Sequence, residues 1–327
     1  NNRLGLDVSL YKSNSMNQIL PLQISPTSGF TSRMINAGEI QNKGIEVVLN
    51  ANPIKTVSGF QWDFVLNFAS NRGTLVSLTE GMTEYSQSKP GEDAFIKAVI
   101  GERMGNIYGQ GFLRAPDGQI IINASNGQAV KTPTYDLQGN YNPNWTAGIS
   151  NTFSYKNFNL SVLFDVRQGG IFVSRFLNKA MGTGSLIETQ ALREDQPLGS
   201  EYGTIYSREG VNLNADGSYS PNTTPQTIRN YYKMWYDHNT EAQKQDASFV
   251  KLREIIFGYS LPKSLLGKTP FLNAKISLVG RNLFLWTKNK HSDPETPTTT
   301  GAGLVPGFEN MALPSMRSYG FNLNVSF

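Results

Sequence analysis

Apolar and polar side chains alternate along residues 317–327 at the end of the chain. Every second side chain is aromatic or aliphatic, and serine, glycine and asparagine fill the positions between them. Alternation with period two is typical of a β-strand with one apolar and one polar face. Such a strand suits either a barrel wall between lipid and a wet lumen or the edge of a soluble sandwich. The apolar set is Tyr319, Phe321, Leu323, Val325 and Phe327.

The same alternation recurs in seven other segments, so the sequence predicts eight strands in all. The segment at 248–261 changes phase part-way along, which predicts a β-bulge near Arg253 or Glu254. The seven segments are residues 3–12, 39–51, 60–71, 144–155, 158–167, 248–261 and 270–286.

The connections between the predicted strands alternate between short and long. Compact soluble domains rarely contain structureless connections longer than about 15 residues. Outer-membrane barrels, by contrast, combine short periplasmic turns with long extracellular loops. We therefore predict a transmembrane antiparallel β-barrel wall with all short connections on one side. The short connections are residues 52–59, 156–157 and 262–269, and the long ones are 13–38, 72–143, 168–247 and 287–316.

The composition of the 327-residue chain agrees with this prediction. The mean hydropathy is -0.34 and no apolar run is long enough for a transmembrane helix, whereas barrel strands need only one apolar face. The chain has no cysteine, which excludes disulfides and thiolate chemistry. The net charge of +4 is scattered, so no nucleic-acid partner is expected. The first residues lack the pattern of a signal peptide and begin inside a predicted strand, which suggests a portion of a longer protein.

Two features stand out in the long connections. Residues 229–242 are predicted to form an amphipathic helix, and a hairpin is predicted to turn at residues 116–118. The aromatic residues of the predicted helix either stack on sugar or peptide groups, or pack the helix onto the barrel rim or a partner protein. These candidates for substrate or partner contact are Tyr231, Tyr232, Trp235 and Tyr236.

Charged residues on the polar phase of the strands are predicted to face the lumen. They either tune the passage of a substrate, or pair across strands and hold a plug in place. The lumen-facing candidates are Asp63, Asp165, Arg167, Lys275 and Arg281.

Catalytic chemistry has little support in this sequence. The two histidines, His238 and His291, fall in predicted loops and are expected to be solvated. No serine lies in a nucleophile motif, and no glycine-rich phosphate loop joins a strand to a helix. Residues 291–295 group possible metal ligands, but the proline favours a rigid turn. We therefore predict no catalytic residue, no metal site, no cofactor and no enzyme activity.

Several segments resemble the SusC/RagA-type TonB-dependent transporters of Bacteroidota, and they occur in the order of that family. The similarity extends over nearly the whole chain and ends with the aromatic terminal strand, for which Tyr319, Phe321 and Phe327 are the candidate barrel terminal signal. The matching segments read N-A-G-E-I-Q-N-K-G-I-E-V-V-L-N at 36–50, W-D-F-V-L-N-F-A-S-N-R at 62–72, I-Y-G-Q-G-F-L at 107–113, F-V-K-L-R-E-I-I-F-G-Y-S-L-P at 249–262, G-R-N-L-F-L-W-T-K at 280–288 and D-P-E at 293–295.

This resemblance implies that residues 1–327 are the C-terminal part of a 22-stranded barrel in the bacterial outer membrane. The plug, the N-terminal strands and the TonB-contacting segment would lie outside this sequence. The implied function is TonB-dependent uptake of oligosaccharides or oligopeptides together with a SusD-like surface lipoprotein as a lid. A passive porin or surface adhesin is the alternative, and an outer-membrane enzyme is a third hypothesis.

Overall fold

The structure, a computed structural model, describes residues 3–23, 27, 29–30, 32–36, 38–88, 94–190, 206–267, 269–295, 298–300 and 303–327. Its main feature is one antiparallel sheet of eight long strands, each paired with the next along the chain. The eight predicted strands are therefore confirmed, with ends shifted by a few residues. They are β1 (Leu4–Ser15), β2 (Glu39–Lys55), β3 (Phe60–Ser77), β4 (Trp145–Tyr155), β5 (Phe158–Gln168), β6 (Phe249–Ser260), β7 (Asn273–Thr287) and β8 (Ser318–Ser326).

The predicted bulge lies at Arg253 in β6. Leu163 and Phe164 of β5, which are consecutive, pair with Glu254 and Leu252 of β6, so that Arg253 is the extra residue. One extra residue in a strand restores the phase of the side chains that follow it. The apolar residues on both sides of the bulge consequently share one face of the sheet.

The short connections of the main sheet all lie at the same end of its strands, here called the short-connection edge, as predicted. They join β2 to β3, β4 to β5 and β6 to β7, and the last of them contains the short helix α4 (Lys263–Leu266). The four long connections lie at the opposite edge, because each strand of an antiparallel sheet reverses direction. By the rule for outer-membrane barrels, the edge with the long connections is the extracellular one.

One face of the main sheet is apolar and largely uncovered. Leu278 is 61% exposed and Phe321 is 77% exposed. An apolar surface that runs across eight strands is unfavourable in water but matches the hydrocarbon of a membrane. Representative residues of this face are Leu6, Val8, Val47, Leu49, Phe64, Leu66, Ile149, Leu160, Val162, Phe257, Ile276, Leu278, Phe321 and Leu323.

Aromatic rings border this apolar face near both edges. At the short-connection edge, Trp62 stacks on Phe153, and Phe158 stacks on Phe257. At the other edge the rings of Phe68 and Trp145 lie 5.8 Å apart. Aromatic girdles at the two membrane interfaces are typical of outer-membrane barrels.

The height of the apolar band also fits a membrane. Along β3 the band extends from Phe60 to the level of Ser70, which pairs with Ile45 of β2. At a rise of about 3.3 Å per residue and a tilt of about 40°, this stretch covers about 25 Å along the membrane normal. That height equals the apolar band expected for an outer-membrane barrel, roughly 25 Å.

The long connections build a second layer of small sheets and helices, here called the loop module. A core around Ile107, which is fully buried, joins its four-stranded and three-stranded sheets. The sheets comprise Glu84–Ser88, Ala94–Val99, Asn106–Gly109 and Asp136–Asn140, then Ile171–Ser174, Lys244–Asp246 and Phe308–Glu309. Two-stranded hairpins comprise Ile19–Gln23 with Ser32–Asn36, Tyr206–Ser207 with Pro225–Gln226, Val211–Leu213 with Tyr219–Pro221, and Thr298–Thr300 with Gly303–Val305. The helices are α1 (Arg175–Thr183), α2 (Ile228–Tyr236) and α3 (Thr240–Gln243), with a 3₁₀ turn at Ile187–Thr189.

The helix predicted at 229–242 is two helices, α2 and α3. His238, between them, has a left-handed backbone with φ of 52°. The side chain of Asn239 then caps α3 by accepting a hydrogen bond from the amide of Ala242 at 3.2 Å. The predicted turn at 116–118 is confirmed, since the Gly118 amide donates to the Ala115 carbonyl at 2.9 Å.

Among the residues that the structure describes, no helix has the length and apolar character needed to cross a membrane.

Candidate functional site: the polar sheet face and the loop module

The face of the main sheet opposite the apolar one carries most of the charged strand residues. The register places the five predicted lumen-facing residues on it: Asp63, Asp165, Arg167, Lys275 and Arg281. Their influence on a passing substrate remains a prediction.

Most of these five side chains have local partners. Asp63 accepts hydrogen bonds from Asn52 at 2.6 Å and from Gln61 at 2.8 Å. Arg281 donates through Nε to the carboxylate of Glu254 at 2.7 Å. Hydrogen bonds within and between neighbouring strands therefore provide partners for much of the charge on this face.

Arg167 and Lys275 are positioned by the backbone around them. Arg167 donates to the carbonyl of Tyr141 at 2.5 Å, which joins β5 to the loop module. Lys275 crosses Gly258 of the neighbouring strand, where an added Cβ would lie 2.6 Å from its Cε. The glycine thus leaves room for the lysine stem against the sheet.

A cluster of five charged groups lies where the polar face meets the last long loop, and we call it the charge cluster. Lys251 is 1% exposed, and its Nζ lies 2.8 Å from Asp293 and 2.6 Å from Glu295. Arg253 donates two hydrogen bonds to Glu295, at 2.9 and 2.7 Å, and also pairs with Asp165. The bidentate geometry is the strong form of an arginine–carboxylate pair.

The two loop carboxylates of the charge cluster are held in their charged form. Burial alone would raise the pKa of Asp293, but hydrogen bonds from Lys251 and Ser315 bring it below its ordinary value. The pKa of Glu295 is likewise lowered despite burial, because Arg253 and Lys251 donate to it. At neutral pH these ion pairs fasten the loop to the sheet.

The charge cluster explains the role of two segments that the sequence predicted only as a turn and a bulge. Arg253 is the bulge residue, and residues 293–295 form the turn that carries both carboxylates. Asn282, with φ of 52°, accepts from Arg253 at 3.3 Å and donates to the Met316 carbonyl at 3.1 Å. Within the described residues, no group of three or more His, Cys, Asp or Glu side chains is arranged to hold a metal.

A polar cavity of about 390 Å³ adjoins the charge cluster at the extracellular end of β7. His291 forms part of its lining, and the expectation that this histidine is solvated is wrong. Its side chain is 17% exposed and its Nε2 lies 3.4 Å from the carboxylate of Glu188. His238 is half exposed, as expected for a loop residue. The loop packs onto α1 and its neighbours, so sequence position alone did not determine the burial of His291.

The aromatic residues of α2 pack inside the loop module. The rings of Trp235 and Phe112 lie 4.2 Å apart. The guanidinium of Arg208 lies 3.7 Å from the ring centre of Tyr231 and 3.9 Å from that of Trp235. These contacts favour the packing alternative for these two rings.

The other two aromatic candidates are also partly covered. The hydroxyl of Tyr232 donates to the carbonyl of Glu188 at 2.9 Å. Burial raises the pKa of Tyr236 above its ordinary value. Contact of these four aromatic residues with a substrate or partner remains a prediction.

The two glycines of the segment at 107–113, Gly109 and Gly111, pack closely against α3. A Cβ on Gly109 would lie 2.0 Å from Thr240 Oγ1, and one on Gly111 would lie 2.7 Å from Glu241 Oε2. Glu241 accepts hydrogen bonds from the amide of Phe112 at 2.9 Å and from Arg114 at 2.7 Å. Glycine suits these positions because the side chains of Thr240 and Glu241 occupy the space that a Cβ would need, and the Thr240 amide also donates to the Gln110 carbonyl at 2.9 Å.

The terminal aromatic residues lie at the end of the sheet. Tyr319 and Phe321 extend from the apolar face of β8 and are largely exposed. Phe327 follows the strand, and its ring lies 5.1 Å from that of Phe271. Their role as a barrel terminal signal remains a prediction.

Comparisons with known proteins agree with this architecture. No protein-family model matches the chain. Two proteins of Formosa agariphila align with the whole chain: TonB-dependent receptor P3 at 26% identity over 355 residues, and TonB-dependent receptor P26 at 24% over 351 residues. The chain covers 32% and 33% of these proteins, so it spans about a third of their length.

The fold is also found in solved structures. The structure of the RagAB peptide transporter matches with a TM-score of 0.71 at 20% identity, over 100% of this chain and 34% of that one. The RagAB peptide importer in the "open-open" state matches with a TM-score of 0.70 at 21% identity, over 100% and 33%. The chain therefore shares the fold of the RagAB chain, and its sequence is similar to that of TonB-dependent receptors along its whole length.

Proposed function

We propose that this chain is the C-terminal barrel wall of an active importer of oligopeptides or oligosaccharides. The observation that carries the proposal is the alignment of the entire chain, from the first strand to the last, with TonB-dependent receptors. The polar face would line the import path, and the apolar face would contact lipid. The plug and the TonB-contacting segment would belong to other parts of the protein.

The similarity to RagAB, described as a peptide importer, supports oligopeptides as the first substrate class to test. The polar cavity offers hydrogen-bonding and charged groups at the extracellular end of the polar face. Peptide termini and backbone amides would find partners there. Neutral oligosaccharides remain the second class.

A SusD-like surface lipoprotein would cover the barrel by docking on the loop module. The long connections are far longer than a turn requires, and ordering them is repaid only through contacts. The helix α2 and its aromatic residues belong to this extracellular layer.

The import experiment uses a strain that lacks the gene and carries the full-length protein on a plasmid. Labelled oligopeptides and oligosaccharides are supplied, with TonB present or deleted. We expect uptake of one class to require both the protein and TonB. Uptake that continues at the full rate without TonB would overturn active import and establish the alternative, a passive porin.

The partner experiment replaces Tyr232, Trp235 and Tyr236 with serine in the full-length protein. We expect reduced co-purification of the lid lipoprotein and reduced uptake, while the barrel itself folds. The matched control replaces Tyr135 and Tyr219, two partly exposed loop tyrosines outside α2. Full retention of the partner in the first variant would show that docking occurs elsewhere.

A further inference from the structure

Three basic residues lie directly opposite one another on neighbouring strands at the extracellular end of the main sheet. The register pairs Lys12 of β1 with Lys43 of β2, and Lys43 with Arg72 of β3. By alternation they share the lipid-facing side with Leu10 and Ile45, which lie two residues nearer the membrane centre. All three are exposed, and we call them the basic row.

The basic row is costly for the barrel on its own. Neighbouring strands lie about 4.8 Å apart, and like charges directly opposite each other destabilise a sheet. None of the ion pairs among the described residues involves the basic row. Glu39, at the start of β2, instead accepts a hydrogen bond from Asn14. The repulsion therefore calls for an anion from outside the chain.

A fourth cation extends the row towards β4. Arg103, from the loop module, donates to the carbonyl of Pro143 at 2.6 Å and to the side chain of Asn144 at 3.4 Å. Burial, and then the charge of Arg72, lower the pKa of Arg103. Its Nε is buried and has no partner among the described atoms. Positive charge thus accumulates at the ends of three adjacent strands and in the loop beside them.

The basic row lies at the level where lipid headgroups begin. The rings of Phe68 and Trp145 pack together just below it on the same face, and tryptophan side chains mark the membrane interface. Below the rings the face is aliphatic, and above the row the loops enter water. An amphiphile at this position would place its chains on the aliphatic residues and its headgroup beside the cations.

We propose that the basic row is a binding site for the phosphate groups of an anionic lipid in the outer leaflet. Phosphate oxygens accept charge-assisted hydrogen bonds from Lys12 and Lys43, and Arg72 can bind phosphate through two parallel N–H groups. Binding neutralises the repulsion across the three strands. The lipid then stabilises the edge of the sheet where the first long connection begins.

The test measures lipid retained by the full-length protein purified from the outer membrane. The probe is lipopolysaccharide from the host, used intact and after removal of its phosphate, and detected by native mass spectrometry. Lys12→Gln, Lys43→Gln and Arg72→Gln are combined in one variant. The matched control combines Lys55→Gln, Lys156→Gln and Lys263→Gln, which remove equal charge from the short-connection edge.

We expect the first variant to bind phosphorylated lipopolysaccharide about a hundredfold more weakly, at roughly fivefold per basic residue lost. The control variant should bind phosphorylated lipopolysaccharide as tightly as the wild type does. Binding of the dephosphorylated lipid should be unaffected by loss of the basic row. Equal losses in the two variants would overturn the proposal, because general charge and not the row would then decide binding. Displacement of the lipid by millimolar inorganic phosphate would also overturn it, since the site would then serve a soluble anion.

A charge reversal separates lipid binding from a purely structural role. Lys43→Glu places a carboxylate between two cations, so the lipid-free barrel should unfold at a higher temperature than the wild type. The same variant should lose lipopolysaccharide binding. A variant that gains no stability without lipid, or that still binds the lipid, contradicts the proposal.

Discussion

Removal of the buried ammonium of the charge cluster is the sharpest test of how the last long loop is held. Lys251→Met keeps the aliphatic stem but leaves Asp293, whose side chain is 4% exposed, without its cation. At 2.8 Å and an effective dielectric of 20, the attraction between the two groups is about 6 kcal/mol, which desolvation of both ions largely offsets. Breaking such a pair costs about 3 to 5 kcal/mol because one charge is left buried.

We expect the lower end of that range, about 3 kcal/mol. Asp293 keeps its hydrogen bond from Ser315, and Glu295 keeps the bidentate pair with Arg253. Since about 1.4 kcal/mol corresponds to a factor of ten, the open population of the loop should rise about a hundredfold.

The assay is limited proteolysis of the full-length protein with trypsin. Lys288 and Lys290 provide cleavage sites in the loop, and the cleavage rate follows the open population when closing is fast. Arg281→Met is the matched control, because Arg281 is 63% exposed and its pair with Glu254 is worth less than about 1 kcal/mol.

Adding Asp293→Leu to Lys251→Met should restore most of the protection, since no unpaired charge then remains buried. The reasoning is refuted if Lys251→Met is cleaved within twofold of the wild-type rate. It is equally refuted if Arg281→Met accelerates cleavage as much.

Three further predictions follow from the same structure. Because the pKa values of Asp293 and Glu295 are lowered in the folded protein, their ion pairs stabilise the closed loop fully at pH values above the ordinary carboxyl pKa of about 4. This stabilisation is lost as the pH falls through the lowered pKa values. Cleavage by an acid-tolerant protease should therefore be constant between about pH 5 and 8 and rise below about pH 4. Leu66→Arg should lose about 2 to 4 kcal/mol of barrel stability near mid-membrane, whereas Asn67→Arg on the polar face should lose little; equal loss of the heat-modifiable band would show that the face assignment is wrong. Gly109→Ala should displace α3 and expose it to proteolysis, whereas Gly148→Ala, with open space around its Cβ, should not; identical digestion patterns would contradict the packing explanation.

The main sheet could be predicted closely from local pattern. The alternation of period two identified all eight strands, because the pleat fixes which side chains share a face. The phase change in β6 predicted a bulge near Arg253 or Glu254, because an extra residue restores the phase, and the structure has it at Arg253. The alternation of short and long connections determined which edge carries the loops.

The loop module shows where this reasoning fails. The pattern of residues 229–242 is helical throughout, but the structure breaks the helix at His238 so that α3 can dock on Gly109 and Gly111. The burial of His291 depends on Glu188, which lies in a different connection.

The sequence by itself determined the eight strands, their two faces and the side of each connection, because these depend on neighbours within a few residues. Only the tertiary structure decided that Lys251 meets Asp293, 42 residues away, and that Arg253 meets Asp165, 88 residues away. Such pairs depend on how far each strand extends and where each long loop returns over the sheet. That geometry is set by packing across the whole loop module, and no local periodicity in the sequence predicts it.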